Sequence, residues 1–130
     1  LCPSTTDAVK TVESLRYKLS AKSDRMGLRL DGEALTVPPD AALGVSRPVV
    51  PGTVQIPPDG KPIILLAEGQ VVGGYPQLGQ VASIDLPKLV QARPGAEVVF
   101  RVSSVSAAQQ ARLRVAADLA RLGVGLQMRR

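Results

Sequence analysis

Residues 15–19 alternate, with Leu15, Tyr17 and Leu19 apolar and Arg16 and Lys18 charged, and a two-residue period of this kind predicts a strand with one wet face. The alternation returns over residues 27–30 and stops at Asp31-Gly32, a pair that favours tight turns, so a hairpin is expected there. Between residues 37 and 62 the chain is broken by Pro38-Pro39, Pro48, Pro51-Gly52 and Pro57-Pro58-Asp59-Gly60. These breaks forbid a helix interior and leave room for one short strand over residues 53–56. Residues 62–67 are apolar without interruption and bounded by turn formers. A run so short predicts a strand buried on both faces, at the centre of the core.

Gly69, Gly73-Gly74 and Pro76 mark a loop, and a weaker strand is expected over residues 78–83. Asp85 is placed to cap a short helix with Pro87 in its first turn and Leu86, Leu89 and Val90 on its apolar side. After the turn Arg93-Pro94-Gly95, residues 97–102 read as a strand with Val98, Phe100 and Val102 on one face. The last element reads as the one long helix. Ser106 and Gln109 have capping-box spacing, and Ala108, Ala111, Val115, Leu119 and Leu122 form a stripe opposite Gln110, Arg114, Asp118 and Arg121. Gly123 and Gly125 are expected to stop it. Short strands, proline-rich crossings and covering helices predict a mainly β domain over residues 1–130. The expected form is a small barrel, closed or half-closed, with a short helix and a C-terminal helix; a sandwich is the alternative.

At 130 residues the chain is the size of one domain and can bury roughly two-thirds of its unfolded surface. Tyr17, Tyr75 and Phe100 are the only aromatic residues, so the core has to be aliphatic. No apolar run approaches the ~20 residues of a membrane helix, and a soluble protein is expected. A single cysteine, Cys2, excludes an internal disulfide and fits a reducing compartment, hence the cytoplasm. The chain starts at Leu1, not Met, so the want of a signal peptide carries little weight. A net charge of +5 raises nucleic acid as a partner. The excess, however, sits on Arg112, Arg114, Arg121, Arg129 and Arg130 without aromatic residues for stacking, which reads as a solvated face.

With no histidine, a Ser-His-Asp triad, a Cys-His pair and the usual zinc sites are excluded within the chain. Neither the phosphate-loop pattern nor Gly-x-Gly-x-x-Gly occurs, and no metal site is expected. Asp24, Asp31, Asp40, Asp59 and Glu68 fall mostly in turns, where carboxylates cap backbone groups. The catalytic residues stay unassigned, and what remains is chemistry of positioning. Arg25 stands beside Gly27 as a fixed cation able to hold a carboxylate or phosphate, or to sit in a surface ion pair. Gln55 has an amide that can donate to and accept from a lactam or ureido group, or serve a strand edge. Gly73-Gly74 can turn backbone N–H groups toward an oxyanion, with Tyr75 as a wall or donor, or can be a sharp turn. Gln70 and Asp85 are further candidates, Asp85 chiefly as a helix cap.

Four segments are more specific than turns require: Ser23-Asp24-Arg25-Met26-Gly27, the stretch from Pro51-Gly52-Thr53-Val54-Gln55 to Pro57-Pro58-Asp59-Gly60, Gly73-Gly74-Tyr75-Pro76, and Asp85-Leu86-Pro87. With Pro62-Ile63-Ile64-Leu65-Leu66 and Arg93-Pro94-Gly95, in this order, they resemble the C-terminal half of the KipA family. That family is also known as allophanate hydrolase subunit 2, as the C subunit of 5-oxoprolinase, or as carboxyltransferase subdomain A and B. The resemblance implies a cyclophilin-like β-barrel, the second of two such units, without the glycine-rich N-terminal half. Arg25, Gln55, Gln70, Gly73, Gly74 and Tyr75, singled out above for their own chemistry, are the expected substrate-binding residues. The implied partners are the missing N-terminal half, a KipI-type subunit and a LamB/YcsF-type subunit, with neither nucleic acid nor membrane.

The activity this implies is ATP-dependent opening of 5-oxoproline to glutamate, or an allophanate hydrolase-like reaction, with ATP used by the whole complex and not bound by a motif in this chain. The alternatives are the carboxyltransferase domain of a biotin-dependent urea carboxylase, and a non-catalytic regulator that sequesters a KipI-type kinase inhibitor. The chain departs from the family in two places. Glu68-Gly69-Gln70-Val71-Val72 stands where members carry Asp-Arg-Gln-Thr-Thr or similar, so two hydroxyls and a cation are lost. Arg47-Pro48 stands where members often show an acidic residue and a glycine.

Overall fold

A computed structural model of the chain describes residues 3–37 and 45–128. Cys2, Pro38-Pro39, Asp40, Arg129 and Arg130, used in the reading above, lie outside these residues. The chain opens with a helix that its pattern did not announce, α1 (Pro3–Ser14). Ala8 and Val12, one turn apart, are buried, and Leu15 packs partly beneath them. Next, β1 (Tyr17–Leu19) buries Tyr17 and Leu19 and exposes Lys18, as the alternation required. It pairs antiparallel with β2 (Gly27–Asp31), Lys18 opposite Asp31 and Leu19 opposite Leu30. The hairpin therefore turns through residues 20–26 and not at Asp31-Gly32. The second neighbour of β2 is a later strand, so the chain leaves the sheet after Asp31 instead of folding back.

The proline-rich stretch supplies β3 (Arg47–Pro48) and β4 (Thr53–Gln55), and the apolar run supplies β5 (Ile63–Leu65). Then come β6 (Val72–Gly73), β7 (Gln77–Gln80), α2 (Leu86–Gln91), β8 (Glu97–Val98) and α3 (Val105–Met128). Among the described residues the principal sheet has six strands in the order β7-β4-β5-β2-β1-β8, and β3 and β6 form a separate two-stranded ribbon. All pairings are antiparallel. The fold is thus the mainly β type expected, with a short helix and a C-terminal helix. The apolar run does lie mid-sheet, with Ile64 completely buried between Leu28 on β2 and Val54 on β4. Pro51-Gly52 makes the turn into β4. Gly52 takes φ +93°, the conformation glycine tolerates at the third position of a type II turn, and Thr53 N–H donates to the Val50 carbonyl at 3.0 Å.

The ladder leaves β7 and β8 as edges, and α1 spans them. It lies against β7, and its Glu13 carboxylate accepts the Val102 N–H at 2.7 Å just beyond β8. One core results, gathering Val12 of α1 with Tyr17, Leu19, Leu28, Leu30, Leu35, Val54, Ile56, Ile64 and Val98.

Several expected elements differ in detail, among them the strand expected over residues 78–83, which forms at Gln77–Gln80. The strand over residues 97–102 keeps ladder pairing only at Glu97 and Val98, because the chain beyond is drawn to α1. Val98 is buried, Phe100 meets the Tyr17 ring edge-on at 5.9 Å, and Val102 is exposed. In α2, Asp85 occupies the N-cap but its side chain caps no N–H; its carboxylate takes Lys88 Nζ at 3.1 Å instead. Val90 is exposed while Leu86 and Leu89 pack on the core. The long helix is capped by Ser104, two residues before Ser106, through Ala107 N–H to Ser104 Oγ at 3.1 Å, and it runs on through Gly123 and Gly125. Glycine costs a helix about 1 kcal/mol, which an otherwise Ala-, Leu- and Arg-rich sequence absorbs. Its apolar stripe is uncovered, with Val115, Leu119 and Leu122 exposed.

Candidate functional site

All three residues of β4 are buried although two of them, Thr53 and Gln55, carry polar side chains. Thr53 is fully provided for. Its hydroxyl accepts from Val50 N–H at 3.2 Å and donates to Gln80 Oε1 at 3.1 Å, while Gln80 Nε2 donates to the Pro51 carbonyl at 2.7 Å. Gln55 is only 1% exposed, yet its Nε2 has no hydrogen-bond partner among the described residues. The pairing of β4 with β7 shows why two side chains on one strand fare so differently. Thr53 stands opposite Gln80 and Val54 opposite Gly79, but Gln55 stands opposite Gln77, so Leu78 is an extra residue and the ladder bulges beside Gln55. A bulge breaks regular pairing and re-aims the side chains next to it.

The ribbon covers this unsatisfied amide. Gln77 Nε2 donates to the Pro48 carbonyl at 3.3 Å and Ile56 N–H to the Pro76 carbonyl at 2.9 Å, which tie the ribbon and its exit to the sheet. Gly73 then lies so close to Gln55 that a Cβ on it would collide with Gln55 Nε2; the same Cβ would stand 3.4 Å from Gln70 Nε2. Gln55, Gln70 and Gly73 are thus brought to one point. Gly74 faces open space, with no atom within 4 Å of where its Cβ would be, and Tyr75 is exposed beyond it. The close approach belongs to Gly73 and not to Gly74.

Arg25 stands at the rim. Asp24 Oδ1 accepts from Met26 N–H at 2.8 Å and Gly27 N–H at 3.2 Å, a local turn that holds the Arg25 side chain out in solvent. At 85% side-chain exposure its guanidinium is 3.8 Å from Glu68, a surface ion pair worth at most about 1 kcal/mol. Leu66 N–H donates to the Met26 carbonyl at 3.0 Å, so the loop bearing Arg25 abuts the turn that leads to Gln70. Arg25 therefore borders the amide cluster without joining it, and Asp85 belongs to α2.

Gln77 and Gln80 hold the surrounding loops and escaped the sequence reading. Four glutamines within residues 55–80 are the signal they left. Among the described residues no cluster of acidic, cysteine or histidine side chains can hold a metal ion, and no helix is long and apolar enough to cross a membrane.

The described chain is thus a mainly β domain in which the buried Gln55 amide and the exposed Gln70 amide meet beside Gly73. Its lineage is definite. Residues 4–102 match the carboxyltransferase domain, subdomain A and B, and the chain belongs to that family. It is 40% identical over 98 residues to the C subunit of 5-oxoprolinase from Haemophilus influenzae, covering 75% of this chain and 31% of that protein. Against the corresponding 5-oxoprolinase protein of Escherichia coli the identity is 38% over 96 residues, covering 74% and 31%. The chain thus spans about a third of the length of the curated relatives it matches, 31% in both cases. The crystal structure of Kluyveromyces lactis urea amidolyase superposes with a TM-score of 0.72 over 80% of this chain and 7% of that one, at 23% identity, which shows a shared fold.

Proposed function

We propose that the chain is part of a subunit of an ATP-dependent amide-hydrolysing complex that opens 5-oxoproline to glutamate, and that it supplies part of the substrate-positioning wall. The observation that carries this reading is the 40% identity to the C subunit of 5-oxoprolinase across three-quarters of the chain. The site is in keeping with it, because Gln55 and Gln70 present neutral N–H donors suited to a lactam carbonyl, with Gly73 between them and Arg25, Gly74 and Tyr75 at the rim. Lactam hydrolysis driven by ATP also needs phosphate handling, a base and a nucleophile. Those come from the remainder of the subunit and from KipI-type and LamB/YcsF-type partners, in the cytoplasm.

The test is ATP-dependent 5-oxoproline hydrolysis by a complex reconstituted from this chain, the remainder of its subunit and those partners. Turnover is expected, and a silent complete complex overturns the proposal. Carboxyl transfer from carboxybiotin is the second reading, favoured by the fold shared with urea amidolyase. Carboxylation of urea by the same complex, with 5-oxoproline untouched, would establish it in place of the first.

A further inference from the structure

Gln55 presents a physical problem that the rest of β4 does not. An amide N–H buried without a partner costs about 1–3 kcal/mol. Thr53, on the same face of the same strand, is spared that cost by Gln80, so the fold has the means to satisfy such a group. At Gln55 the means are withheld: the bulge at Leu78 interrupts the ladder, and the segment lying over the amide is a glycine that brings no acceptor side chain. Gln70 adds a second NH2 at the same point. The unpartnered Gln55 NH2 with the Gln70 NH2 beside it is complementary to an acceptor oxygen brought by a ligand.

The ribbon adds a charge. Arg47 on β3 is the antiparallel partner of Gly73 on β6. Side chains at directly paired positions project from the same face, so Arg47 leaves the ribbon on the side where Gly73 lacks a side chain, the side that carries Gln55 and Gln70. Arg47 and Gln70 are exposed, while the Gln55 amide lies within. A cation and neutral donors on the same side of the ribbon select a ligand with an anionic group at one end and an uncharged carbonyl at the other.

We propose that Arg47, with the Gln55 and Gln70 amides beneath Gly73, forms a two-point receptor for a lactam or amide bearing a carboxylate, Arg47 binding the carboxylate and the amides the carbonyl oxygen. The assignment rests on the amide-processing reading above and adds to it the residue that discriminates charge. Since Gln55 Nε2 is shut beneath Gly73 in this state, binding displaces residues 71–75, of which Val71, Val72, Gly74 and Tyr75 are exposed.

The experiment is a titration of the 15N-labelled chain, read by NMR at the side-chain amides of Gln55 and Gln70, with 5-oxoproline and with its neutral analogue 2-pyrrolidinone. Both probes shift the Gln55 and Gln70 signals. Arg47→Ala weakens 5-oxoproline about tenfold and leaves 2-pyrrolidinone within about twofold, and Arg47→Lys recovers part of the loss. Gln55→Met, which keeps the volume and removes the donor, weakens both probes, as does Gln70→Ala at an exposed position that folding does not depend on. Equal effects of Arg47→Ala on the two probes, or shifts that bypass Gln55 and Gln70, overturn the receptor. So does the failure of both probes to bind. Turnover of 5-oxoproline by the reconstituted complex with KM unchanged by Arg47→Ala removes the receptor and leaves the enzymatic reading standing. Discrimination by the chain without turnover by the complex does the reverse.

Discussion

Tyr17 and Gln55 are both buried polar side chains with an unpartnered atom, and their surroundings differ. The Tyr17 ring is wholly inside the core and edge-on to Phe100, and nothing about it is open to a ligand. Burial, and then the charge of Glu33, hold its phenol above the ordinary value of 10.0. In the folded state the proton is therefore kept longer than in the unfolded chain. Stability from this source is complete below about pH 10 and is lost as pH rises from there through the folded value. Tyr17→Phe keeps the ring contact and removes the orphan hydroxyl. Denaturant melts should show it equal to the parent or more stable by about 1 kcal/mol at neutral pH, with a shallower loss above pH 10. Parallel losses in the two proteins would show that the phenol does not titrate with unfolding.

The glycine pair offers a sharper contrast at the same scale. Gly73→Ala drives a methyl into Gln55 Nε2 and is expected to cost about 1–3 kcal/mol, whereas Gly74→Ala enters open space and should change stability by less than about 0.5 kcal/mol. Combining Gly73→Ala with Gln55→Ala should return part of the loss, since the two residues touch; additive costs in that cycle would place the strain elsewhere. Sequence alone singled out Gln55, Gln70 and the glycine pair, because an amide between proline turns and two adjacent glycines are locally conspicuous. It could not rank Gly73 over Gly74, nor see Arg47 opposite Gly73. The first depends on the approach of Gly73 to Gln55, and the second on the pairing of β3 with β6 across a long proline-rich connection.

Among the elements, those with a local signature were legible: β1 by alternation, β5 by its continuous apolar run, and the turn into β4 by Pro51-Gly52. The helix α1 was not, since among its described side chains Ala8 and Val12 are the buried apolar ones, too few to set a period. The strand beyond Val98 was over-read because its β-branched residues satisfy a propensity that Glu13 overrides by taking the Val102 N–H. Ile64 tests the centre of the sheet. Ile64→Asp places an unpaired carboxylate at a fully buried position and should cost more than about 4 kcal/mol, leaving little folded protein; a melting temperature near the parent's would contradict the burial of this strand. The helix α3 tests the opposite case. Its stripe at Val115, Leu119 and Leu122 is exposed, so ending the chain after Ser104 should shift the midpoint of the β core by less than about 1 kcal/mol while removing helical ellipticity. Loss of cooperative unfolding in the truncated chain would show that α3 is part of the core.

At the scale of the whole molecule, one core joins α1, the six-stranded sheet and α2, and the described chain has what it needs to fold as a unit. The groups gathered at the candidate site are amides and a glycine backbone, which can bind and orient but do not carry protons at neutral pH. Histidine is absent, Asp24 accepts from its own turn, and Glu68 and Asp85 face Arg25 and Lys88. Orientation accelerates a reaction only when a base and a nucleophile come within hydrogen-bond reach of the held substrate. The purified 130-residue chain is therefore expected to fold and yet to release no glutamate from 5-oxoproline in the presence of ATP. Adding the remainder of the subunit and its partners should restore the reaction, and Gln55→Met in this chain should then lower kcat/KM by about tenfold without lowering the midpoint of unfolding by more than about 1 kcal/mol. Turnover by the isolated chain would contradict this division of labour, and an unaffected Gln55→Met complex would place the substrate away from the amide cluster.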